Sequence, residues 1–126
     1  MDSSVWITLL REASPRTISE AMLLNLATCG PVLQEVFQGL RPGAHSREFQ
    51  RGFEALPVLS DPVPLRLYRE AAEIYRLGRS KGYSIRASAD CLIAAIAIEN
   101  GVPVWHKDRD FDSIARFTRL QAEPLR

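Results

Sequence analysis

The sequence predicts an α/β domain: a parallel sheet with helices on both faces. Three observations point that way. Short apolar runs, such as Pro57-Val58-Leu59 and Val102 to Trp105, alternate with longer helical patterns. The helical segments between them are long enough to serve as crossovers between parallel strands. The chain has 126 residues, 46% of them hydrophobic, which suffices for one well-formed core, so residues 1–126 are read as a single domain.

The elements follow in order. Ser3 or Ser4 caps a short helix whose apolar side holds Val5, Trp6, Leu9 and Leu10, and Ser14-Pro15-Arg16 breaks it. Ile18 to Leu24 reads as helical. Leu24 to Cys29 alternates and reads as a strand. Gly30-Pro31 turns the chain into a helix with Pro31 in its first turn. There Val32, Glu35, Val36 and Gly39 follow at three- and four-residue steps, so Glu35 lies on or beside the apolar face. Leu40 to Arg47 reads as a loop, Glu48 to Leu56 as a helix and Pro57 to Leu59 as a strand. Leu65 to Lys81 is an amphipathic helix with Leu67, Ala71, Ile74 and Leu77 inward. After a linker, an apolar helix carries Asp90 and ends at Asn100-Gly101. The strand Val102 to Trp105, a helix from Asp112 to Phe117 and an edge strand or tail from Leu120 complete the chain.

The placement of the acids carries the chemistry. Asp90 opens the run Cys91-Leu92-Ile93-Ala94-Ala95-Ile96-Ala97, and Asp108 and Asp110 stand just beyond the strand that ends at Trp105. Asp2 and Glu35 lie at the edges of other apolar segments. In open α/β sheets, sites form beyond the carboxyl ends of strands, where Asp108 falls. Taken singly, each acid has an ordinary reading. Asp90 is a first-turn acid favoured by the helix dipole, Asp108 and Asp110 are turn residues, Glu35 is a surface-edge residue, and Asp2 is solvated. Taken together they form one acidic pocket. Carboxylates brought together repel unless a cation neutralises them. A hard ion such as Mg²⁺ or Mn²⁺ prefers oxygen ligands and works with phosphate substrates. It polarises a phosphoryl oxygen and acidifies a bound water, which suits phosphodiester hydrolysis.

Other classes find less support. The formal charge of +1 names no partner and leaves a local basic patch open. Arg86, Lys107 and Arg109 are the candidates for phosphate contacts, against a reading as solvated charge. Cys29 and Cys91 make no CxxC pair, and Cys29, Cys91, His45 and His106 fit no zinc spacing. Both thiols read as reduced core residues. No GxSxG, Walker or dinucleotide-binding pattern occurs. No apolar run approaches the roughly 20 residues of a membrane span, and Met1-Asp2-Ser3 shows no leader, so a cytoplasmic protein is expected.

The stretches Asp2-Ser3-Ser4-Val5-Trp6-Ile7, Glu35-x3-Gly39, Asp90-Cys91-Leu92-Ile93-Ala94-Ala95 and His106-Lys107-Asp108-Arg109-Asp110-Phe111 resemble, in order and spacing, the successive motifs of PIN-domain proteins. The nearest subgroup is the VapC-type toxins of bacterial toxin–antitoxin pairs. The resemblance implies a three-layer α/β/α sandwich and an endoribonuclease dependent on Mg²⁺ or Mn²⁺. By motif position, Asp2, Glu35, Asp90 and Asp108 would be the catalytic, metal-binding acids. Asp110 would be an accessory acid, acting through water or holding neighbouring groups. Ser4 would hydrogen-bond a carboxylate or phosphate, and Ser88 would cap the helix of the third acid. The resemblance further implies an RNA substrate (tRNA or rRNA), a VapB-like antitoxin and a homodimer, with no membrane association.

One departure has a structural consequence. The family carries a short apolar strand before its first acid, whereas Met1 here directly precedes Asp2. The expectation is a PIN-like sheet with its first strand missing or truncated. The alternative function is a non-catalytic PIN-like module that binds an antitoxin or RNA.

Overall fold

In a computed structural model that describes residues 27–106 and 109–124, one helix organises the rest. The segment Ser88–Asn100 forms helix α4, and Asp90, Cys91, Ile93, Ala94, Ala95, Ile96 and Ala97 are all buried in it. A helix that is apolar all round has no face to offer water and has to be covered on every side. Its alanines keep the surface flat enough for close approach. Helix α3 (Leu65–Ser80) packs along it more extensively than any other pair of elements.

Two parallel strand pairs accompany these helices. Strand β1 (Thr28–Cys29) leads into α1 (Gly30–Gln38) and α2 (Ala44–Glu54), and returns as β2 (Val58–Leu59) beside β1. Pro31 stands in the first turn of α1, where its missing N–H costs nothing. Phe53 on α2 meets Phe37 edge-on at 5.8 Å and stacks on Phe49 at 5.7 Å, which ties α2 to α1. Strand β3 (Val104–His106) leads into α5 (Arg109–Ala115) and returns as β4 (Ala122–Pro124), again parallel. The parallel α/β class is therefore observed, and the edge strand expected after Leu120 is β4.

Several boundaries differ from expectation. Helix α2 begins at Ala44, inside the stretch read as loop. The last helix starts at Arg109 instead of Asp112, which puts Asp110 and Asp112 in its first turn. The strand begins at Val104, beyond Pro103, which has no N–H for a ladder. On α3 the buried stripe is Leu67, Ala71, Ile74 and Gly78, not Leu77, because steps of four, three and four hold one face. Leu77 is exposed with Leu65 and Tyr68. Gly78 is needed there: a Cβ would come within 3.0 Å of the Phe117 ring. Helix α4 ends as expected. Gly101 takes a left-handed φ of 64°, and the amides of Gly101 and Val102 donate to the carbonyls of Ile98 and Ala97.

The expected single sheet is, among the described residues, two separate pairs, β1-β2 and β3-β4. Between them lies a cavity of about 260 Å³. Thr28 and Cys29 line it from one pair, Val104 and Trp105 from the other, and Ile93, Ile96 and Ala97 of α4 form its wall. Whether a strand precedes Asp2, the helices expected before Leu24, and most of the strand expected from Leu24 lie outside the described residues. The cavity nevertheless yields an expectation. Adding four apolar residues before Asp2 should raise the thermal midpoint by about 5 °C. Calorimetry on the extended and native chains checks this; an unchanged or lower midpoint would contradict it.

Candidate active site

Asp90 occupies the first turn of α4 and is 6% exposed. The N-terminus of a helix favours a negative charge, which offsets part of the cost of burying one. The entry to α4 is unusual. Ala87 is the residue before the helix, with extended backbone, and no side chain caps it. Ser88 was expected as the cap; it lies inside the helix, one residue too late for that geometry.

Asp110 holds this entry instead. It lies in the first turn of α5, 2% exposed. Its Oδ2 accepts hydrogen bonds from the backbone N–H of Arg86 at 3.0 Å and of Ala87 at 3.2 Å. Its Oδ1 stands 3.7 Å from Arg86 Nε. Hydrogen bonds to an ionised carboxylate are stronger than neutral ones, at roughly 1.5–3 kcal/mol each. Arg86, a candidate phosphate contact, thus leans toward Asp110 with a side chain that stays 59% exposed.

Asp90 and Asp110 share one neighbourhood, and Cys91 senses both. Burial first, and then the charges of Asp90 and Asp110, push the Cys91 thiol from 9.0 up to about 11. Burial likewise raises Cys29, with a small further push from Glu35. Both cysteines are free and buried, as expected of reduced core residues. Glu35 lies half-buried on α1, beside the buried Val32 and Val36.

Two further buried polar residues stand on the strands. Thr28 begins β1 and His106 ends β3; both are buried. Thr28 Oγ1 and the His106 ring nitrogens have no hydrogen-bond partner among the described residues. His106 Nε2 comes within 3.2 Å of Asp112 Oδ1 without the alignment of a hydrogen bond. Polar atoms buried without partners are costly and gather where a fold serves something besides packing. Thr28 was visible as the one hydroxyl in an apolar strand, and His106 as a polar residue at a strand's carboxyl end.

Asp2, Ser4, Lys107 and Asp108 lie outside the described residues. Among those described, no group of three or more His, Cys, Asp or Glu is placed to hold a metal ion. The zinc alternative gains nothing either, since His45 sits exposed on α2, away from the buried cysteines. The donors that are present, the carboxylates of Glu35 and Asp90, are hard oxygen donors, which suits a hard divalent cation and not a thiophilic one. Of the aromatic residues, Phe111 is core and Trp105 is half-buried on the cavity wall. Among the described residues no helix is long and apolar enough to cross a membrane.

A model of the PIN domain matches residues 1–117. The chain belongs to the PIN-domain family. Over 134 aligned residues it is 35% identical to VapC ribonuclease Mb1587 of Mycobacterium bovis, covering 100% of this chain and 98% of that one. It is equally similar to Ribonuclease VapC11 of Mycobacterium tuberculosis. Ribonuclease VapC21 of the same organism is 34% identical over 105 residues, 78% of this chain and 71% of its own. Among solved structures, one described as "Structure of FitAB bound to IR36 DNA fragment" superposes with a TM-score of 0.66 at 17% identity, over 98% of this PIN domain and 92% of that chain. At that identity the likeness is one of fold, and it agrees with the three-layer α/β/α architecture of the family.

The shifted thiol gives a signed expectation. A thiol whose folded value lies above its unfolded value holds its proton more tightly in the native state. Its contribution to stability is complete below pH 9 and is lost as the pH rises toward about 11. Denaturant melts of the native chain and Cys91→Ala, compared from pH 8 to 11, should converge by up to ~3 kcal/mol over that window. A constant difference across it would contradict the expectation.

Proposed function

We propose that this PIN-domain protein is a metal-dependent endoribonuclease, the toxin of a VapBC-type pair acting in the cytoplasm. The observation that carries the reading is the buried Asp90 in the first turn of α4, with Asp110 in the same neighbourhood, in a chain similar along its whole length to VapC ribonucleases. Asp2, Glu35, Asp90 and Asp108 would hold Mg²⁺ or Mn²⁺ through carboxylate oxygens, with Ser4 beside the first acid. When bound, the cation supplies Lewis acidity at a phosphoryl oxygen and a lowered pKa for water.

The chain's own residues supply position and exclusion. The N-terminus of α4 favours negative charge at Asp90, whose carboxylate oxygens would serve as donors. The apolar run that follows anchors that carboxylate in a core that does not yield. Arg86 and Arg109, both exposed, carry positive charge at the rim where an RNA backbone would pass. The RNA is tRNA or rRNA in this reading. A VapB-like antitoxin silences the pocket, and the protein pairs as a homodimer. The exposed Leu65, Tyr68 and Leu77 of α3 are apolar surface that such a contact would cover.

Incubation of total RNA with the purified protein and Mg²⁺ or Mn²⁺ tests this. Cleavage that leaves 5′-phosphate and 3′-hydroxyl ends is expected, and EDTA should abolish it. Asp90→Asn should lower the rate by at least about 100-fold, more than loss of a residue that only supports a ligand. Ends bearing 2′,3′-cyclic phosphate would refute the mechanism. Binding of RNA or antitoxin without cleavage, by a folded protein, would favour the non-catalytic module.

A further inference from the structure

The hydrogen bonds at the entry to α4 form a short relay. Asp110 Oδ2 accepts from the Ala87 N–H at 3.2 Å, and the Ala87 carbonyl accepts from the Asp90 N–H at 3.0 Å. The Arg86 amide donates to the same oxygen at 3.0 Å. One carboxylate on α5 therefore fixes the two residues that precede α4, and the first hydrogen bond after them sets the backbone of Asp90. Ala87, the residue before α4, has no side-chain acceptor with which to cap the helix.

We propose that Asp110 is a positioning residue: it clamps Arg86 and Ala87 so that Asp90 enters the pocket at one depth and angle, and it acts as a hydrogen-bond acceptor, not as a ligand. The inference rests on the reading of Asp90 given above and deepens it. An sp² oxygen has two lone pairs, and both on Oδ2 face backbone amides. Oδ1 faces the Arg86 guanidinium. These geometries direct the carboxylate toward the polypeptide. An amide in its place keeps an oxygen that accepts from both N–H groups, and gives up the charge and the second acceptor that faces Arg86.

The difference between acceptor and charge makes the test. Native protein, Asp110→Asn, Asp110→Ala and Asp90→Asn are compared in two readouts: hydrogen exchange at the amides of Arg86 and Ala87, and Mn²⁺ affinity. Asp110→Asn should keep the protection of both amides and hold Mn²⁺ within about threefold of native. Asp110→Ala should lose at least tenfold in protection at Arg86 and Ala87, and about 10–100-fold in Mn²⁺ affinity, the range expected when a ligand's support is removed. Rescue by Asn is the signature that a ligand role would not give. If Asp110→Asn loses Mn²⁺ as completely as Asp90→Asn does, the carboxylate is a ligand and the proposal falls. If native protein binds no Mn²⁺, the reading of Asp90 fails separately, and the exchange readout decides the clamp: unchanged protection in Asp110→Ala would overturn it. Should Asp110→Ala not fold, the Asn variant decides in both readouts.

Discussion

Helix α4 has to be covered on every side and still deliver a carboxylate at its first turn. Those two demands conflict, since a buried charge is expensive and an apolar helix pulls its ends inward with it. The conflict is resolved at one point. The dipole of α4 favours Asp90, while Asp110, equally buried, satisfies the backbone just ahead of the helix. Remove that contact and the most buried helix among the described residues starts at an uncapped alanine. The packing of α3, the closure at Gly101 and the strands on either side all assume α4 in its present register.

Two carboxylates held close also set the electrostatics of their surroundings. Cys91 stays a thiol far above neutral pH because its anion would be desolvated and would face Asp90 and Asp110. The Arg86 guanidinium stands at the edge of this neighbourhood, 3.7 Å from Asp110 Oδ1 and still largely exposed. Negative charge is thus concentrated at the start of α4. Thr28 and His106 are buried with polar atoms that find no hydrogen-bond partner among the described residues.

Much of this was legible in the residues. The unbroken run Cys91 to Ala97 predicted an apolar helix opened by Asp90, and Asn100-Gly101 predicted its C-cap. The i, i+3, i+4 spacing of Leu67, Ala71 and Ile74 predicted the inward face of α3. The burial of Asp90 could be anticipated because an acid that opens an apolar run has little solvated face to occupy. What was not legible depended on partners distant in sequence. Leu77 looked inward by hydrophobicity, but the close approach of Phe117 and Ile85 reserves that position for Gly78. Ser88 looked like a cap by residue type, but the cap is Asp110, more than twenty residues away. The separation of the strands into two pairs is tertiary as well, since each strand alone reads as it should.

The account turns on one claim, that the ends of β1 and β3 and the start of α4 enclose a site for a hard cation. The most direct measurement is a titration of isotopically labelled protein with Mn²⁺, following paramagnetic broadening of backbone amide signals. The account predicts that Thr28 to Gly30, Ser88 to Cys91 and His106 broaden first and together, at cation concentrations that leave the far ends of α3 and α4 untouched. Broadening centred elsewhere, at exposed acids such as Glu70 or Glu73 on α3, with these residues still sharp, would contradict it.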